Sequence, residues 1–126
     1  MLSTKQKQLL SVVEVGGYIN FIPLYERAGY QVTVQTTMRK VLKYLKRNTP
    51  DVVVAEFNFQ SDFRDRTSSL ESMMSIIERF PKIKLIIFYD KEFVQQLQRL
   101  EARYCFDATL AFPIDEQKLE QVINQL

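Results

Sequence analysis

The sequence predicts a doubly wound α/β domain, in which a five-stranded parallel sheet carries helices on both faces. Short apolar runs alternate with amphipathic stretches along the whole chain, and this alternation is typical of such sheets. The run Val52–Ala55 is continuously apolar, as in a parallel strand covered on both faces. The 126 residues contain no linker or break in composition, so we expect a single domain over residues 1–126.

The first strand is predicted at Leu9–Val15, a β-branched and mostly apolar run. It is closed by Gly16 and Gly17. The glycine pair favours a tight turn. An alternative is that it lets the backbone approach an anion.

A short helix over Ile19–Ala28 and a second strand over Tyr30–Val34 are predicted next. Asn20 is a candidate cap, and Pro23 is tolerated in a first helical turn. Gly29 follows the helix, as glycine commonly does just past a helix end.

The second helix is predicted over Thr37–Asn48, and Pro50 ends it. Its apolar residues recur at helical spacing and form one stripe, namely Met38, Val41, Leu42 and Leu45. The third strand follows at Val52–Ala55.

The second half of the chain repeats the alternation. A capping box at Ser68–Glu71 begins the third helix, and the fourth strand is predicted at Lys84–Tyr89. Asp90 caps the fourth helix, and a fifth strand at Ala108–Phe112 precedes the last helix. The apolar residues expected to face inward on these three helices are Leu70, Met73, Met74, Ile77, Phe93, Val94, Leu97, Leu100, Leu119, Val122, Ile123 and Leu126.

Composition excludes much enzyme chemistry. The chain has no histidine, which removes His-based catalysis and His-ligated metal sites. Cys105 is the single cysteine, and three glycines cannot form a phosphate-binding glycine loop. We expect Cys105 to be a small packed residue. The net charge of +2 does not by itself indicate a nucleic-acid partner.

No apolar run is long enough to cross a bilayer. The N-terminal residues do not have the pattern of a signal peptide. We therefore expect a cytoplasmic protein that does not bind a membrane.

Four segments in order resemble the receiver domain of bacterial response regulators, which act in two-component signalling. They are Ala28–Val32, Pro50–Ala55, Leu85–Tyr89 and Asp107–Pro113. The resemblance covers essentially the whole chain. It implies the CheY-like variant of the flavodoxin-like fold, with strand order 2-1-3-4-5, and a cis peptide bond between Phe112 and Pro113.

The resemblance also implies a degenerate phosphorylation pocket. The phosphoacceptor aspartate matches Glu56, and of the acidic pair that binds magnesium only Glu14 remains. The hydroxyl residue at the end of strand four matches Tyr89, and the lysine before the fifth-strand proline matches Phe112. We expect no metal, no cofactor and no catalysis. Glu56 is either a partial mimic of a phosphorylated aspartate or a relic at a solvated strand end.

The function predicted from this pattern is a non-catalytic, receiver-like signalling module, or pseudo-receiver, that binds a protein partner. One alternative is an atypical phosphorylatable receiver that uses Mg²⁺ and Asp51, or a loop aspartate, with Glu14. A second alternative is a nucleic-acid-binding module using a basic face on the second helix. That face comprises Arg39, Lys40, Lys43, Lys46 and Arg47.

The resemblance places a partner surface on the fourth helix, the fifth strand and the fifth helix. The surface would also suit a weak homodimer, since it shows no large apolar patch. Its expected members are Gln95, Gln98, Arg99, Arg103, Thr109, Lys118 and Gln121.

Overall fold

A computed structural model describes residues 6–58 and 70–126 of the chain. The strands are β1 (Lys7–Val12), β2 (Tyr30–Gln35), β3 (Val52–Phe57), β4 (Lys84–Tyr89) and β5 (Ala108–Ala111). The helices are α1 (Ile22–Arg27), α2 (Met38–Leu45), α3 (Leu70–Ile77), α4 (Val94–Glu101) and α5 (Glu116–Gln125), with a 3₁₀ turn at Lys91–Phe93 before α4. The capping box expected at Ser68–Glu71 begins outside the described residues.

The five strands form one parallel sheet in the order β2-β1-β3-β4-β5, which confirms the predicted architecture. The carboxyl ends of all five strands therefore lie along one edge of the sheet. None of the helices in the described part of the chain is long and apolar enough to span a membrane.

Two apolar cores cover the two faces of the sheet. Helices α2, α3 and α4 pack on one face, and α1 and α5 pack on the other. Alternate residues of β3 pack into the two cores. Val53 and Ala55 face α2–α4, while Val52 and Val54 face α1 and α5. This double coverage explains why the run Val52–Ala55 is continuously apolar.

Side-chain oxygens cap the amino ends of α2 and α5. The Thr37 hydroxyl accepts from the Lys40 amide at 3.2 Å, and Asp115 Oδ1 accepts from Gln117 and Lys118 at 2.9 and 3.4 Å. Asp90 caps the 3₁₀ turn rather than α4 itself. The Phe112–Pro113 bond is cis, as expected.

Three element boundaries at the carboxyl edge differ from the prediction by two or more residues. β1 ends at Val12 rather than at Val15, while β3 continues through Glu56 to Phe57. Helix α1 begins at Ile22 rather than at residue 19. The residues released from β1 and α1 form a longer loop, whose backbone binds Glu56.

Candidate functional site

The site lies at the carboxyl edge of the sheet, where Glu56 occupies the next-to-last position of β3. Its side chain is on the face covered by α1 and α5, because it alternates with Val52 and Val54. Glu56 is only 1% exposed. The expectation that this glutamate sits at a solvated strand end is therefore wrong, since β3 extends past it and the β1–α1 loop covers it.

Backbone amides of the β1–α1 loop bind the Glu56 carboxylate. The Val15 amide donates to Oε1 at 2.9 Å, and the Gly16 amide donates to Oε2 at 3.1 Å. The Asn58 side-chain amide donates to Oε1 at 3.0 Å. A buried carboxylate needs such donors, because an unpaired charge in the interior is costly.

Glycine permits this arrangement of the loop. Gly16 and Gly17 have φ angles of +71° and +83°, in the left-handed region that favours glycine. The pair therefore forms the turn that its sequence favoured, and the Gly16 amide also reaches an anion. That anion is the chain's own Glu56.

Tyr18 completes the environment of the carboxylate. Its ring packs edge-on against Phe88 at a centroid distance of 5.6 Å and lies 5.4 Å from the ring of Phe112. Burial raises the pKa of the Tyr18 phenol above its usual value, and the negative charge of Glu56 and a side-chain hydrogen bond with Glu56 raise this pKa further. The phenol therefore stays protonated beside the carboxylate.

This donor set does not fit a magnesium ion. Mg²⁺ requires several oxygen ligands in near-octahedral geometry, whereas the groups that hydrogen-bond to Glu56 in the described residues are N–H donors. The partial positive charge of those hydrogens would repel a cation at the same oxygens. Within residues 6–58 and 70–126, no three Asp, Glu, His or Cys side chains are grouped closely enough to bind a metal.

The chain was compared with known proteins. No protein-family model and no curated protein sequence matches it. Solved structures do. A response regulator receiver domain from Clostridium thermocellum is 18% identical with a TM-score of 0.73, and the match covers 94% of this chain and 92% of that one.

Two further solved structures agree with that match. The signal receiver domain of an HD domain-containing protein from Pseudomonas fluorescens Pf-5 is 15% identical with a TM-score of 0.75, over 99% of this chain and 89% of that one. A CheY-like receiver domain protein from Methanospirillum hungatei JF-1 is 14% identical with a TM-score of 0.72, over 96% and 93%. The chain has the CheY-like fold. Identities this low establish the fold alone.

Within the CheY-like fold, two of the four predicted pocket residues lie together. Glu56 and Phe112 border the same depression of about 340 Å³. Tyr89 lies apart, because it pairs with Phe57 rather than with Glu56 and packs in the core beneath α2–α4. Glu14 lies half-buried in the β1–α1 loop.

Asp51 lies at the opposite edge of the sheet. Its carboxylate accepts from the Gln8 amide at 2.7 Å, at the amino end of β1 and β3. A strand length separates it from Glu14, so these two residues do not form a site together. The loop aspartates Asp62 and Asp65 lie outside the described residues.

Six of the seven residues of the expected partner surface are exposed, and Thr109 of β5 is half-buried. Arg103 turns toward α3, where its guanidinium lies 3.4 Å from the Glu71 carboxylate. The remaining exposed residues lie on α4 and α5, namely Gln95, Gln98, Arg99, Lys118 and Gln121.

The five basic residues on and after α2 are all exposed, and none forms an ion pair with another described residue. Cys105 is also exposed. The expectation of a packed cysteine is wrong, because Cys105 falls in the open connection between α4 and β5.

The amides of Val15 and Gly16 and the side chains of Tyr18 and Asn58 were not predicted to surround Glu56. The two amide bonds depend on the β1–α1 loop folding over the end of β3, a contact between residues about 40 positions apart. A local signal was present for one of them. Asn58 follows Glu56 by two residues, close enough for its side chain to reach the carboxylate once β3 ends at Phe57.

Proposed function

We propose that this chain is a receiver-like signalling module that acts by binding a protein partner, without conventional aspartyl phosphorylation. The observation that carries the proposal is the state of Glu56. Its carboxylate is buried, and both oxygens accept backbone amides. A phosphoryl donor has no access to it, and in-line attack requires an accessible oxygen.

The surrounding residues support the same conclusion. Phosphoryl transfer needs positive charge to stabilise the developing negative charge on the phosphoryl oxygens. The described residues that line the depression beside Glu56 include the Phe112 ring where the family has a lysine, and the other charged residue among them is Asp90. An anionic donor would therefore meet carboxylates and an apolar ring.

We assign the protein contact to the surface formed by α4, β5 and α5. Strand β5 is the edge of the sheet and is only four residues long. The exposed side chains on the flanking helices are polar or charged, with glutamines and glutamates beside Arg99 and Lys118, and they suit a polar and reversible interface rather than an obligate one. Self-association through the same surface would give a weak homodimer.

The absence of phosphorylation is testable directly. Amide NMR spectra would be recorded during titration with Mg²⁺ and then with Mg²⁺ plus beryllofluoride, which mimics a phosphoryl group. Intact mass would be measured after incubation with acetyl phosphate and Mg²⁺, with a phosphorylatable receiver domain as the positive control. We expect no localised shifts and no added phosphoryl mass. Saturating shifts at Val15, Gly16 and Glu56 would overturn the proposal.

The protein contact needs its own experiment. A photoreactive amino acid would be introduced at position 98 on α4 or position 121 on α5, and at position 43 on α2 as a matched exposed control. We expect discrete protein crosslinks, including crosslinks between copies, from positions 98 and 121 and not from 43. Nuclease-sensitive crosslinks from position 43 alone would instead favour the nucleic-acid alternative.

A further inference from the structure

A second feature of the carboxyl edge is a cleft of about 790 Å³ between the β1–α1 loop and the segment that follows β5. This volume is in the range of small-molecule sites. Its position, outside the carboxyl ends of parallel strands, is where α/β sheets commonly bind ligands. The walls are formed by Gly16, Gly17, Tyr18, Ile19, Phe112 and Ile114.

The walls of the cleft are largely apolar and aromatic. The rings of Tyr18 and Phe112 both rest on Phe88, which is fully buried and lies 5.6 and 6.0 Å from them between ring centroids. This support fixes the two wall rings before any ligand arrives. Aromatic walls of this kind favour a planar ring, which can stack or pack edge-on against them.

The entrance to the cleft is open and apolar. Ile19 is 65% exposed, although isoleucine is usually buried. A Cβ built on Gly17 meets nothing within 4 Å, so the backbone there borders open space. Apolar surface at a cleft entrance gains free energy when a ligand covers it.

Asp90 supplies the charge of the cleft. Among the described residues of the lining it is the one acidic side chain, and none of those residues is lysine or arginine. Its Oδ1 accepts from the Glu92 amide at 2.9 Å, which holds the carboxylate in place. Its Oδ2 makes no hydrogen bond within the described part of the chain. A fixed carboxylate beside aromatic rings is complementary to a cation.

We propose that this cleft binds a planar aromatic molecule that carries one protonated amine. The ring lies against Tyr18 and Phe112, and the amine binds Asp90. The cleft shares Gly16, Tyr18 and Phe112 with the surroundings of Glu56. The inference does not rest on the proposed function, because Asp90 plays no part in the bonds that hold Glu56.

Three indole compounds that differ in charge test the ligand class. Tryptamine carries the protonated amine, tryptophol is neutral, and indole-3-acetate is an anion. Each would be titrated into the full chain and followed by amide NMR. We expect tryptamine to give saturating shifts at Gly17, Ile19, Asp90 and Ile114, tryptophol to bind more weakly, and indole-3-acetate to bind least.

Matched variants test the role of the charge. Asp90→Asn removes the charge and retains a capping side chain, whereas Glu92→Gln neutralises an exposed carboxylate outside the lining. We expect Asp90→Asn to weaken tryptamine binding about tenfold and leave tryptophol unchanged. Glu92→Gln should alter neither. The proposal is overturned if no probe shifts the cleft amides, if the anion binds as well as the cation, or if Asp90→Asn binds tryptamine normally.

Discussion

At the scale of single residues, Glu56 shows how one buried side chain can act as a structural element. A carboxylate at the end of a buried strand must be paired. Here the donors come from the chain itself: two loop amides and the Asn58 side chain. The Glu56 carboxylate is thus the anchor of the β1–α1 loop.

The substitution Glu56→Gln tests this role. Glutamine keeps the shape but offers one acceptor oxygen, so its NH₂ group faces a backbone N–H and leaves that donor unpaired. We expect the free energy of unfolding to fall by about 1–3 kcal/mol, as measured by urea denaturation.

Glu78→Gln on the exposed end of α3 is the matched control. It should change stability by about 0.5 kcal/mol or less. If the two variants are equally stable, Glu56 does not anchor the loop.

At the scale of elements, the β1–α1 loop depends on two glycines that are not equivalent. Both have positive φ, so alanine at either position is strained. A Cβ at Gly16 would also lie 3.3 Å from Val13 Cγ1, and the Gly16 amide donates to Glu56. A Cβ at Gly17 meets nothing.

Alanine substitutions at the two positions should therefore differ. We expect Gly17→Ala to lower the free energy of unfolding by about 1 kcal/mol and Gly16→Ala by about 2 kcal/mol or more. The amide resonance of Val15 should move further from its wild-type chemical shift in Gly16→Ala than in Gly17→Ala. The reverse order of stabilities would show that the Gly16 contact with Glu56 contributes little.

A second element depends on its cap. Asp115 accepts two amides at the start of α5, and this helix buries Leu119 and Ile123 against the sheet. We expect Asp115→Ala to destabilise the protein by about 1 kcal/mol, while Asp115→Asn retains most of the stability. Thermal unfolding would be compared for both variants. Equal losses would point to charge rather than capping as the cause.

At the scale of the whole molecule, the architecture could be predicted from the sequence. The spacing of apolar residues and the alternation of strands and helices are visible in short stretches of sequence. The apolar stripe of α2 and the apolar run of β3 can each be recognised in a short window of sequence. The parallel sheet was predicted from the alternation of strands and helices. The Glu56 site could not be predicted from such short stretches of sequence. It depends on a loop contact across about 40 residues, and Tyr89 is separated from Glu56 because the two side chains lie on opposite faces of the sheet.

The core covered by α1 and α5 also determines how the molecule responds to alkali. Tyr25 is 2% exposed beneath α1, and burial raises the pKa of its phenol. The pKa of Tyr18 is raised as well, first by burial and then by Glu56. An unfolded chain ionises its tyrosines near pH 10, whereas the folded chain holds these two protons to higher pH.

The sign of the pH dependence follows from proton counting. Below about pH 10 both states keep the tyrosine protons, and stability does not depend on these groups. Above it the unfolded state binds fewer protons than the folded state, so the free energy of unfolding falls as the pH rises. Urea denaturation at a series of pH values from neutral to strongly alkaline should show this decline.

The decline of the free energy of unfolding with pH should be less steep in Tyr25→Phe and in Tyr18→Phe, and least steep in the double variant. A decline that is equally steep in the wild type and the double variant would show that other groups cause it.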